Sequence, residues 1–123
     1  MFSEDKKKFK FDGTFNKEIA QMRKNARIPV EIDGTFTYID ATNRIKDTCT
    51  ITNLSTGGLA FETNTVLLKG DIITISFPLS GRMIKEDGQI TRNTGREYGC
   101  KFVNPSPENV NFIQQYIYKK LFS

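Results

Sequence analysis

An all-β domain closed by one C-terminal helix is the fold class this sequence predicts, on three observations. Apolar residues alternate with polar or small ones from Ile28 to Phe102. Turn-forming residues break that alternation at regular intervals, and after Phe102 the apolar period lengthens to that of a helix. With 123 residues the chain has room for one hydrophobic core. About six short strands with regular breaks imply a small closed barrel or a sandwich.

Residues 1–22 read as a flexible basic arm, and residues 23–123 as the folded domain including its terminal helix. The arm holds Lys6, Lys7, Lys8 and Lys10, with Phe2, Phe9, Phe11 and Phe15 at no regular period. Asn16 is placed to cap a short helix over residues 17–22, with Glu18 in the first turn, where the helix dipole favours an anion. The excess of cations in residues 1–30 equals the net charge of the whole chain, +4. Such a charge steers anionic partners without specifying a fold.

Six apolar sets define the strands: Val30 and Ile32; Phe36 and Tyr38; Cys49 and Ile51; Leu59 and Phe61; Ile73, Ile75 and Phe77; and Tyr98, Cys100 and Phe102. Turns are expected at Asp33-Gly34, Asn43, Gly57-Gly58, Lys69-Gly70, Ser80-Gly81, Asp87-Gly88 and Thr94-Gly95. Cys49 and Cys100 lie within alternating apolar runs and are expected to be buried thiols. Ser106 and Pro107 start the helix, and Val110, Ile113, Ile117 and Leu121 supply its apolar stripe.

The chain has no His and no Trp, and no nucleophile stands beside a plausible base. Catalysis and a metal centre are therefore not expected, and Glu62 and the pair Glu86-Asp87 read as strand-face and turn charges. No apolar run approaches the ~20 residues of a membrane span, and the N-terminus lacks the apolar stretch of a signal peptide, so a cytoplasmic protein is expected.

What remains is a constellation of polar residues. Arg23 and Arg27 stand four residues apart before the first strand, Asn53-Leu54-Ser55-Thr56-Gly57-Gly58 follows the second, and Tyr98-Gly99-Cys100-Lys101-Phe102 forms the last. Each alone has an ordinary reading: two arginines are a solvated pair, and an NxSxxG string is a turn whose side chains bond their own backbone. In this order, over residues 23 to about 120, they resemble the PilZ domain family, whose paired motif is RxxxR followed by [D/N]xSxxG.

The resemblance implies a six-stranded antiparallel barrel with a C-terminal helix, and the bacterial second messenger cyclic di-GMP as ligand rather than cofactor. Arg23, Arg27, Asn53, Ser55 and Gly58 match the signature, and Gly57 stands beside it. Arg92 matches a position that in this family often stacks on the second guanine. Lys24 lies between the arginines, and Met22 holds a position linked to whether one or two ligand molecules bind. The chemistry suits these residues: an arginine fork pairs with guanine O6 and N7 or with a phosphate, and its flat face stacks on a base. The output implied is a changed contact with a protein effector in motility or biofilm regulation. Two other readings stand beside it: a small basic barrel binding RNA or single-stranded DNA, and a ligand-free PilZ-like adaptor.

Overall fold

A computed structural model describes residues 26–122. Six antiparallel strands, β1 (Arg27–Asp40), β2 (Asn43–Ser55), β3 (Gly58–Glu62), β4 (Ile72–Leu79), β5 (Arg82–Thr94) and β6 (Glu97–Phe102), precede helix α1 (Pro107–Phe122). They form a closed barrel in the order β1-β2-β3-β6-β5-β4. The expected basic arm and its short helix, with Met22, Arg23 and Lys24, lie outside the described residues.

Two expected turns are strand interiors. Asp33 and Gly34 lie within β1, paired with Thr50 and Cys49, so the first two apolar sets form one strand of 14 residues. Gly34 is there because β1 closes against β4: an added Cβ would meet the Ser76 carbonyl oxygen at 2.7 Å. Asp87 and Gly88 lie within β5, and a Cβ on Gly88 would sit 2.9 Å from Cys100 Sγ. The flanking reversals fall at Ala41, two residues before the expected Asn43, and at Ser80-Gly81 as expected, where φ is +57°, +51° and +83°. Leu79 pairs with Arg82 directly across the latter turn, as a two-residue hairpin with both central φ positive requires.

The interior is apolar. Ile28, Leu54, Leu59, Cys100 and Ile90 form a single register row across β1, β2, β3, β6 and β5, and all five are buried. Phe36, Phe61 and Tyr98 continue the core in ring contact at centroid distances of 5.7 and 5.8 Å. Both cysteines are free and buried, as expected, and burial pushes the Cys49 thiol up to about 12 and that of Cys100 up to about 11.

The rim where β1 ends is plugged by the β3–β4 loop. Leu67 is buried, its N–H donates to the Tyr98 hydroxyl at 3.0 Å, and that hydroxyl donates to the Thr65 carbonyl at 3.3 Å. Asp47 accepts from Thr65 Oγ1 and, at 2.7 Å, from the Thr48 N–H. The Thr65 bond, with that of Thr48, holds its carboxyl below the usual carboxylate value.

Helix α1 starts as expected: the Ser106 hydroxyl accepts from the Asn109 N–H at 3.4 Å, with Glu108 in the first turn and Lys119 and Lys120 in the last. Its buried side chains are Ile113 and Ile117, whose removal from water is worth about 2 kcal/mol each. Leu121, expected in the same stripe, is 41% exposed, because Phe112 and Tyr116 pack on the core instead. The helix start is fixed by a residue read as a turn charge. Glu86 is buried, and its Oε2 accepts from the Ser106 N–H at 3.1 Å and from Asn109 Nδ2 at 2.6 Å. The Arg82 guanidinium lies 5.1 Å from the Phe112 ring centroid, on the same junction.

Candidate functional site

The rim where β1 begins brings the motif residues together by strand register. Arg27, the first residue of β1, is exposed and pairs with Ser55, the last of β2. Two positions along, Pro29 pairs with Asn53. Both strands are irregular just beyond, β1 between Pro29 and Ile32 and β2 between Ile51 and Asn53. A bulge of this kind bends the strand and re-aims a side chain. Here it leaves Asn53 Oδ1 buried with no hydrogen-bond partner among the described residues. A buried acceptor without a partner is costly, on the order of 1–3 kcal/mol.

Ser55, Gly57 and Gly58 also shape the β2–β3 connection itself. Ser55 is buried, and its hydroxyl donates to the Gly58 carbonyl at 3.2 Å, bridging the tight β2–β3 connection. The Gly57 carbonyl accepts from the Phe102 N–H at 2.9 Å, tying that connection to the end of β6. Neither glycine has a positive φ. Gly58 is required for a different reason: an added Cβ would lie 2.1 Å from the Cys100 carbonyl oxygen. At Gly57 an added Cβ would meet nothing within 4 Å.

Arg92 reaches the same face through the register. Asn53 pairs with Ala60, Ala60 with Gly99, and Gly99 with Arg92, a row across β2, β3, β6 and β5. This row alternates with the interior one and points away from it, although its two middle positions, the smallest side chains, are themselves buried. Three strand spacings separate Asn53 from Arg92, roughly 14 Å. The Tyr98-Gly99-Cys100-Lys101-Phe102 segment thereby acquires a reason for each apolar or small member: Tyr98, Cys100 and Phe102 are buried, and Gly99 lies under the Arg92 side chain.

Thr52 and Glu97 were not expected at this face. Thr52 Oγ1 donates to Glu97 Oε2 at 2.8 Å, and Glu97 Oε1 lies 3.8 Å from Arg92 Nη1. Nothing in the sequence pairs residues 52 and 97 until the β2–β3–β6 register is known. Among the described residues there is no cluster of three or more His, Cys, Asp or Glu able to hold a metal. No helix among them is long and apolar enough to cross a membrane.

The arrangement sets cations at two edges, Arg27 and Arg92, with the buried Ala60 and Gly99 and an amide oxygen that has no partner among the described residues between them. The family model for the PilZ domain matches residues 21–119. The chain belongs to the PilZ domain family. Solved PilZ domains have the same fold: that of CeSA from a cellulose-synthesising bacterium is 18% identical with a TM-score of 0.61, over 79% of this chain and 99% of that one. The PilZ domain of Escherichia coli YcgR, solved with c-di-GMP, is 17% identical with a TM-score of 0.58, over 76% and 86% of the two chains. The Borreliella burgdorferi PlzA protein, solved in complex with c-di-GMP, is 18% identical with a TM-score of 0.59, over 85% of this chain and 45% of that one. This PilZ chain therefore spans under half of PlzA. No curated protein matched it.

Proposed function

We propose that this PilZ domain binds cyclic di-GMP at the rim where β1 begins and passes its occupancy to a protein effector as a changed surface. The observation that carries the reading is the unpaired, buried Asn53 Oδ1, set two register positions from the Arg27–Ser55 pair. An amide acceptor with no partner among the described residues, near an exposed guanidinium, is what a guanine edge with its N–H donors would satisfy. Family membership and two neighbours solved with c-di-GMP support the same ligand.

In this reading Arg27 uses its fork on a guanine edge or a phosphate, with Arg23 its partner on the preceding segment. Asn53 takes a base N–H. Ser55 has acceptor capacity left after donating to Gly58, and Arg92 offers its flat face to the second guanine. Gly57, with open space around it, leaves room for the ligand near the backbone. Lys24 adds charge, and Met22 bears on whether one or two ligand molecules enter.

A nucleic-acid barrel would need exposed aromatic platforms. Here Phe36, Phe61, Phe77, Phe102 and Tyr98 are spent on the core. Isothermal calorimetry of Arg27→Ala tests the site. Losing a charged bidentate contact should lower cyclic di-GMP affinity at least about tenfold. Ser55→Ala should cost less. Parental affinity in Arg27→Ala would move the site elsewhere.

A further inference from the structure

Arg92 does not project freely from the sheet. A Cβ placed on Gly99 would lie 2.8 Å from both Cγ and Nε of Arg92, so the side chain lies across the bare backbone of β6. Its Nη1 ends 3.8 Å from Glu97 Oε1, and the two side chains are 49% and 36% exposed. The second carboxylate oxygen is held by Thr52 Oγ1 at 2.8 Å. Thr52 occupies the β2 bulge directly before Asn53. One carboxylate thus spans from the strand that carries Asn53 to the cation on β5. An ion pair this exposed adds little to stability, so its consequence lies in where it puts the guanidinium.

We infer that Glu97 is a positioning residue: held by Thr52, it keeps Arg92 over Gly99 and matches its charge, so that Arg92 meets a ligand base with its face rather than a phosphate with its charge. The inference deepens the ligand reading above and rests on it. A guanidinium offers a planar face and a charged fork of donors. Glu97 draws the charged end of the side chain toward itself and leaves the outer face of the guanidinium. Without the carboxylate, Arg92 is free to turn toward the phosphates, which every cyclic dinucleotide carries.

The test is a set of calorimetric titrations with cyclic di-GMP and cyclic di-AMP on the parent, Glu97→Gln, Thr52→Val, Arg92→Ala and the double variant Arg92→Ala/Glu97→Gln. Glu97→Gln and Thr52→Val should each weaken cyclic di-GMP binding by roughly three- to tenfold. Both should shift the two dinucleotides alike, since stacking on a base face is base-tolerant, steepen the salt dependence, and leave the melting curve in place. In the Arg92→Ala background Glu97→Gln should cost nothing more. Unchanged or tighter binding by Glu97→Gln and Thr52→Val would overturn the inference while leaving the ligand reading intact, as would a full loss that persists without Arg92. A parent that binds no cyclic di-GMP would overturn both.

Discussion

Gly58→Ala is predicted to destabilise the barrel sharply, and Gly57→Ala is predicted to leave it alone. The added methyl at position 58 would lie 2.1 Å from the Cys100 carbonyl oxygen, where a carbon normally stops at about 3.3 Å. Something must therefore move by roughly 1.2 Å, and the obstacle is backbone, not the end of a flexible side chain. Gly58 pairs with Lys101 and Leu59 with Cys100, so separating the strands there strains the β3–β6 ladder at its end. Overpacking of this kind costs about 3 kcal/mol, which for a domain of this size lowers Tm by about 10 °C. The neighbouring substitution meets nothing within 4 Å and should stay within about 0.5 kcal/mol. Urea unfolding of the two variants beside the parent measures both. Equal midpoints for all three would refute the crowding argument and return Gly58 to a purely ligand-facing role.

Glu86→Ala should cost about 2 kcal/mol and loosen the start of α1, since it strands the Ser106 N–H and leaves Asn109 Nδ2 with only the Lys85 carbonyl at 3.4 Å. Hydrogen exchange in residues 106–113 should rise more than in β2, and uniform protection would contradict the clamp. The thiols should resist alkylation at pH 8 in the native protein, because burial raises both pKa values from 9.0 to about 12 and about 11. The sign follows from linkage: the folded state keeps protons that the unfolded state releases above pH 9. The stability these thiols contribute is full below that pH and is lost as pH rises through 11 to 12. A Cys49→Ala/Cys100→Ala variant should lose less stability than the parent between pH 9 and 11. Parallel alkaline curves would contradict it.

The barrel and its helix were legible because interior positions repeat at a period of two, and the helix carries a capping serine, a proline and a 3.6-residue stripe. β5 was harder. Its inward positions run Ile84, Glu86, Gly88 and Ile90, and a carboxylate and a glycine conceal the alternation. Glu86 faces inward because α1 brings donors to it, and Gly88 because the Cys100 side chain fills the space. Gly34 misled for the same reason, being small to admit β4 rather than to turn the chain. At the candidate site, Arg27, Ser55 and Asn53 fall within two register positions of one another, whereas the place of Arg92 and the Thr52–Glu97 tether depend on pairings between strands remote in sequence. Met22, Arg23 and Lys24 lie outside the described residues.

The central claim is that the rim where β1 begins takes cyclic di-GMP. Titrating the parent protein with cyclic di-GMP in a calorimeter, with GTP and a short RNA as controls, tests it most directly. Saturable binding at micromolar concentration or below, absent for both controls and lost in Arg27→Ala, is the predicted result. No heat with cyclic di-GMP, or equal binding of the RNA, would contradict the account.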